Sequence, residues 1–208
     1  MGIKERKDRE RNERRESILK AAMQVYLQEG YHATTMEKIA EEAELSRATL
    51  YLYFKTKDEI FVNAIVCHSD YFGDLLESIY DRRESIKNEI LEALWKSFQT
   101  FYKKDPVTFN VTLYFHQGEM LRNLPRELRL MLHRSGSRNY QLMNRIMTYG
   151  IDQGLFKECN PKTLAEVVYT SFLGIIHLEN SKKAMSRKNH LEVTWDLAYE
   201  ALSRGILK

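Results

Sequence analysis

Apolar residues recur along this chain mainly at helical spacing. Ile18, Ala21, Ala22 and Val25 share one face of a first helix, and Gly30 is a natural stop for it. Met36, Ile39, Ala40 and Ala43 make a second, shorter face. A long stripe begins at Lys57 and passes through Ile60, Phe61, Ala64, Ile65, His68, Phe72, Leu75, Leu76 and Ile79. Ile86, Ile90, Leu91, Leu94, Trp95, Phe98 and Phe101 form the next. Asp105-Pro106 and Asn160-Pro161 each read as a capping residue followed by proline in the first turn. Leu124-Pro125 opens a helix predicted to end near Gly154, and two last helices are predicted from Thr163 to Leu178 and from Leu191 to Ile206. One segment breaks the pattern. Val107, Phe109, Val111, Leu113 and Phe115 alternate with polar or mixed residues, which is the strand period. A lone strand would leave its edge unpaired, so helix is predicted there too. The pattern as a whole predicts an all-α chain of about nine helices.

Polar residues sharpen the reading between Thr34 and Lys57. Thr34 and Glu37 fit a capping box, Ser46 suits the cap of the next helix, and Thr56 with Glu59 fits a second box. Between those caps, Arg47-Ala48-Thr49-Leu50-Tyr51-Leu52-Tyr53-Phe54-Lys55 holds no acidic residue in a chain otherwise rich in Glu. Its exposed face therefore suits an anionic partner. The segment reads as two short helices, a tight turn and the start of a third.

It resembles the DNA-binding helix-turn-helix of the tetracycline-repressor (TetR) family of transcriptional regulators. Thr34-Thr35, Ile39-Ala40, Ala43, Ser46, Thr49-Leu50-Tyr51, Tyr53-Phe54 and Lys57 carry the likeness, which extends back through Ile18-Leu19, Ala21-Ala22 and Gly30-Tyr31. Glu44 departs from it, standing in the turn where the family usually has glycine, so an awkward backbone angle is expected there. The resemblance implies a three-helix DNA-binding domain over residues 1–56 and a helical ligand-binding and dimerisation domain over 57–208. It implies that the helix from Ser46 to Phe54 enters the major groove. Arg47 is the candidate base reader, because a guanidinium can bond both acceptors of guanine, with a phosphate contact as the alternative. Met36 and Ala48 match positions that offer at most apolar contact to a base. Thr35, Thr49, Tyr51, Tyr53 and Lys57 resemble the family's phosphate-gripping set, with packing on the first helix as the alternative for Tyr51, and Thr34 and Ser46 are further candidate DNA contacts.

Composition and charge alter this picture little. Residues 1–57 hold 12 Lys or Arg against 10 Asp or Glu, so composition alone would not suggest nucleic acid. The stretch from Lys4 to Arg15 carries seven basic and four acidic residues. It reads first as a solvated helix extension, with a DNA-contacting arm as the alternative. Cys67 and Cys159 are too few for a disulfide scaffold, no leader peptide is evident, and no apolar run is long enough to span a bilayer. A cytoplasmic protein is expected. No His, Cys or carboxylate spacing fits a metal site and no catalytic constellation is apparent, so neither a cofactor nor enzymatic activity is expected.

The resemblance further implies a homodimer on a palindromic operator and release by a small-molecule effector. Candidate dimer residues are Leu164, Val168, Ser171, Phe172 and Ile175 on one helix and Trp195, Ala198, Leu202 and Ile206 on the other, with packing inside the subunit as the alternative. Candidate effector contacts are His68, Phe72, Trp95, Phe98, Phe101, Tyr102, Phe109, Tyr114, Phe115, Met120, Met143 and Met147, a lining suited to a bulky apolar or planar ligand. Plain core is the alternative for each. His68, His116, Asn110 and Gln117 are candidates to orient a polar group. The helix from Lys57 would carry the signal to the DNA-binding hairpin, and Cys67 on it offers a redox switch, with an inert buried thiol as the alternative. Control by a protein partner and non-specific architectural DNA binding are the competing functional classes.

Overall fold

The computed structural model describes residues 2–116, 118–186 and 191–208. The described residues are overwhelmingly α-helical and include no strand, only an isolated bridge between Phe156 and Leu207. The alternating segment 107–115 is helix, as expected, and Gln117 lies outside the described residues.

In order, the helices are α1 (Ile3–Ala33), α2 (Met36–Glu42), α3 (Arg47–Tyr53), α4 (Lys57–Asp81), α5 (Arg83–Ile86) and, after a 3-10 turn at Lys87–Glu89, α6 (Ile90–Lys104). They continue with α7 (Pro106–Phe115), α8 (Gly118–Asn123), α9 (Arg126–Asp152), α10 (Pro161–Ser186) and α11 (Leu191–Ile206). Caps fix most of the starts. Asp105 accepts from the Thr108 amide at 3.0 Å ahead of Pro106, and Asn160 accepts from the amides of Lys162 and Thr163 at 3.0 and 3.2 Å ahead of Pro161. Gly30, at φ 78°, breaks the last turn of α1 as its left-handed preference predicts.

Two compact units emerge. The first runs to Asp70 and takes up Asp105–Ser135. Its core joins Ile18, Ala22, Ile39, Leu50, Phe54, Phe61, Val111 and Phe115, all fully or almost fully buried. The second comprises Tyr71–Lys104 and Gly136–Lys208. An aromatic spine fills it: Phe72 stacks on Phe101 with centroids 4.6 Å apart and Phe98 on Phe172 at 4.8 Å, while Trp95 lies tilted against Trp195 at 4.5 Å. The buried Phe156 ring crosses Gly150 of α9 so closely that a Cβ there would lie 2.3 Å from it. Nearby, the chain end is tied in by the Lys157 amide donating to Ile206 O at 2.8 Å and that of Lys208 to Leu155 O at 3.2 Å.

Candidate nucleic-acid interface

The reading hairpin is built by local chemistry at every joint. The Thr35 hydroxyl caps α2 by accepting from the Lys38 amide at 3.3 Å. This corrects the expected Thr34–Glu37 box by one residue. Thr34 is fully buried, and its hydroxyl donates back to Gly30 O at 2.8 Å, closing the end of α1. With no exposed surface it is a structural lock and not a DNA contact.

The turn after α2 is a Schellman motif: the Leu45 amide donates to Ala40 O at 2.8 Å and the Glu44 amide to Glu41 O at 3.0 Å. That geometry demands a left-handed residue, and Glu44 supplies it at φ 53°. Ser46 then caps α3, accepting from the Thr49 amide at 3.1 Å and meeting the Thr49 hydroxyl at 2.8 Å. At the next joint the Thr56 hydroxyl accepts from the Glu59 amide at 3.1 Å. The Glu59 carboxylate reaches one residue further back than expected, to the Lys55 amide at 2.7 Å.

These joints present one face of α3 to solvent. Leu50 and Phe54 point into the core, while Ser46, Arg47, Ala48, Tyr51 and Leu52 are exposed. No carboxylate lies on α3 itself, yet one arrives from α2. Glu37 pairs with Arg47 at 3.3 Å. Its carboxyl is held below its ordinary range by its own backbone amide, then the Thr35 hydroxyl and, to a lesser extent, the Arg47 guanidinium. Arg47 is exposed on α3 beside a half-buried carboxylate partner that another anion can replace. Lys55 turns back on α3 and donates to Tyr51 O at 2.7 Å, a cation on the negative end of the helix.

Three side chains outside α3 hold the hairpin in place. The Lys57 ammonium donates to Tyr31 O at 2.9 Å and Thr34 O at 3.0 Å and sits 4.4 Å from the Tyr31 ring centroid. It therefore satisfies the carbonyls at the end of α1, a place the expected phosphate grip did not foresee. Arg15 of α1 donates to Tyr53 O at 3.4 Å and Asn63 Oδ1 at 3.0 Å, with its guanidinium 4.4 Å from the Phe54 centroid. The Tyr31 hydroxyl donates to Asp58, and burial first, then that carboxylate, pushes the Tyr31 phenol up. Arg15 escaped the sequence reading although it continues the Ile18, Ala22, Val25 stripe one turn earlier, a signal that was there to find. Tyr31 stood in the resemblance as part of Gly30-Tyr31 but without this role, and the exposed Leu52 carried no comparable signal.

Thr35, Ser46, Arg47, Ala48 and Tyr51 are exposed, and Thr49 and Tyr53 are half-buried at the two ends of α3. Met36 is buried in the core of the first unit and presents little to a base.

Every named candidate effector contact apart from Tyr114 and Met120 is buried. In the first unit, Tyr114 and Phe115 pack around Tyr31 at 5.5 and 5.2 Å, and the Tyr114 hydroxyl meets His32 Nε2 at 3.0 Å. Phe109 and His68 are buried in the same unit, Asn110 is half-buried, and His116 is exposed with Nδ1 2.7 Å from Thr112 O. In the second unit Phe72, Trp95, Phe98 and Phe101 form the aromatic spine, Met143 and Met147 are buried, and the Tyr102 hydroxyl donates to Asn180 at 3.2 Å. Cys67 is exposed, not buried, and its thiol is pushed up by desolvation and then by Asp70, which disfavours the reactive thiolate.

The candidate dimer stripe needs correction. Val168, Phe172, Trp195 and Ile206 are buried inside their own subunit, while Leu164, Ser171, Ile175, Ala198 and Leu202 are half-buried. The exposed apolar residues lie beside them: Val167 and Leu178 on α10 and Val193 and Leu197 on α11.

The arrangement is that of a helix-turn-helix DNA-binding regulator, and comparison with known proteins agrees with it. Residues 18–64 match the model for bacterial regulatory proteins of the tetR family. The fatty acid metabolism regulator protein of Bacillus subtilis is 26% identical over 141 residues, covering 68% of this chain and 70% of that protein. Two solved structures share the fold. SmeT, the repressor of the Stenotrophomonas maltophilia multidrug efflux pump SmeDEF, in complex with triclosan, superposes with a TM-score of 0.74 at 23% identity over 94% of this chain and 92% of the other. The fatty acid degradation regulator FadR from Bacillus halodurans superposes with a TM-score of 0.73 at 22% identity, over 91% and 94%. Residues 18–64 are thus a DNA-binding region of the tetR family type, and the chain resembles TetR-family transcriptional regulators over most of its length. Among the described residues no helix is long and apolar enough to cross a membrane.

Proposed function

We propose that this regulator is a cytoplasmic homodimeric repressor that binds a palindromic operator and leaves it when a bulky apolar effector binds. The observation that carries the reading is the exposed, carboxylate-free face of α3, with Arg47 displayed next to Glu37 and both ends of the helix anchored. A seven-residue helix reads few base pairs, so specific binding wants two copies. The exposed stripes of Val167 and Leu178 with Val193 and Leu197 supply an apolar surface for that pairing, and Gly174, with open space around its Cβ direction, permits close approach. In this reading residues 1–56 read DNA, and 57–208 sense and dimerise. The name of the Bacillus subtilis relative and the triclosan on SmeT support a hydrophobic effector, for which the aromatic and Met-rich interior of the second unit is chemically suited.

Selection from a random duplex library followed by native mass spectrometry tests the reading. Expected are an enriched palindrome and a complex of two chains per duplex. A random pool after selection would sink specific repression in favour of architectural binding. One chain per duplex would sink the dimer. Titration with a long-chain fatty acid or triclosan should weaken operator binding, and unchanged affinity with both would remove the hydrophobic-effector reading.

A further inference from the structure

From residue 4 on, the first turns of α1 bury no side chain. Ile18 is the first buried residue of the helix, and residues 4–14 are all exposed. A helical stretch that buries nothing gains little stability from packing, so its sequence is free to serve another purpose. Its charges are sorted. Arg6 pairs with Glu10 at 3.4 Å and Arg9 with Glu13 at 3.6 Å. Lys4, Lys7, Arg11 and Arg14 form no ion pair with a described residue. Spaced by three, four and three, these four cations share one face of the helix.

That face adjoins the reading helix. Lys7, Arg11 and Arg14 line an open groove of about 430 Å³ together with Leu52 and Tyr53 of α3. Glu10 also borders it, already paired with Arg6. The cationic stripe is therefore continuous with the exposed face formed by Arg47, Ala48, Tyr51 and Leu52.

We propose that Lys4, Lys7, Arg11 and Arg14 grip the phosphate backbone of duplex DNA beyond the base pairs that α3 reads, lengthening the footprint on the operator's flank. The inference rests on the DNA-binding reading of α3. From Lys4 to Arg14 the helix rises about 15 Å, the length of roughly four base pairs. Residues 4–14 include no apolar side chain, which leaves nothing to insert into a lipid surface and favours nucleic acid over membrane.

Lys7→Gln/Arg11→Gln/Arg14→Gln tests it, with Arg6→Gln/Arg9→Gln as a control that removes cations already paired. Affinity is measured against the selected palindrome alone and against the same palindrome with about four extra base pairs on each side, between about 50 and about 200 mM salt. Wild type should prefer the longer duplex, and the triple variant should lose that preference. Its log–log salt slope should be less negative by up to about 2.7 per subunit, at about 0.9 per phosphate contact. The control should keep the wild-type slope. Equal affinity of wild type for both duplexes, or a control slope changed as much as that of the triple variant, would overturn the arm while leaving the α3 reading intact. No binding of wild type to either duplex would instead overturn the reading on which the arm rests. Loss of binding to phosphatidylglycerol vesicles in the triple variant, with its duplex affinity unchanged, would reassign the stripe to a lipid surface.

Discussion

Replacing Lys57 by methionine separates two roles for this side chain, because each leaves a different signature. As the geometry has it, the ammonium satisfies two carbonyls at the end of α1 and covers the Tyr31 ring. A hydrogen bond from a charged donor is worth about 1.5–3 kcal/mol, and an exposed cation–π contact about 0.5–1 kcal/mol. Lys57 is half-buried, and water can replace part of what methionine removes, so the net loss is about 2 kcal/mol. For a chain of this length that lowers the thermal midpoint by about 4–8 °C. As a phosphate contact, Lys57 would cost no stability when replaced, but the salt slope of operator binding would become less negative by about 0.9 per subunit. Differential scanning calorimetry and fluorescence anisotropy across a salt series read the two quantities. The structural role predicts a lower midpoint and an unchanged slope. A midpoint within a degree or so of wild type, together with a flattened slope, would refute the reasoning.

Three further outcomes follow from the geometry. Glu44→Gly should raise stability by about 0.5–1 kcal/mol in urea denaturation, because glycine adopts the left-handed angle at φ 53° without a Cβ conflict and gives back part of the gain as chain entropy; a loss of stability would mean that the Glu44 side chain contributes more than its backbone strain costs. Gly150→Ala should destabilise by about 1–3 kcal/mol, since the new Cβ would meet the buried Phe156 ring at 2.3 Å, and an unchanged urea midpoint would show that the ring yields freely. Burial pushes the Tyr169 phenol up to about 12 from its ordinary 10.0, so the unfolded state releases that proton first as the medium turns alkaline. Its stabilisation is complete below pH 10 and should be lost between pH 10 and about 12, a decline that Tyr169→Phe should make shallower in alkaline urea titrations.

Sequence reading succeeded where local chemistry decides the outcome. Ser46, Asp105 and Asn160 each cap the helix that their side chains predicted, and Glu44 adopts the angle that its place in the turn demanded. It slipped where two equivalent choices stood side by side. Thr34 and Thr35 are chemically identical candidates for the same cap, and the carbonyl of Gly30, which takes both the amide and the hydroxyl of Thr34, claims Thr34. On α10 and α11 two apolar stripes run next to each other, and periodicity alone does not say which is inward. The aromatic partners Phe98 and Trp95 draw Phe172 and Trp195 into the subunit and leave Val167 and Leu197 outside. α10 also runs past Leu178 to Ser186, through a polar stretch where the buried Glu179 is paired with Lys182 at 2.8 Å. The short α5 and α8 span too few residues to establish a period.

The reading helix shows why the second kind of information matters for function. At seven residues, α3 is far too short to be stable by itself, so its position on DNA is a property of what surrounds it. Arg15 holds the carbonyl of its last residue from α1, and Lys57 ties the end of α1 to the start of α4. Tyr31, gripped by Asp58 and packed by Tyr114 and Phe115, brings α7 into the same assembly. An effector that loosened these contacts would weaken operator binding without touching Arg47, because they are what gives α3 a fixed orientation. The aromatic residues of α7 that look like ligand lining in the sequence therefore serve first as part of the clamp on the reading head. A ligand that displaced Tyr114 or Phe115 would loosen Tyr31 and, through Lys57 and Asp58, the start of α4 that follows the reading helix.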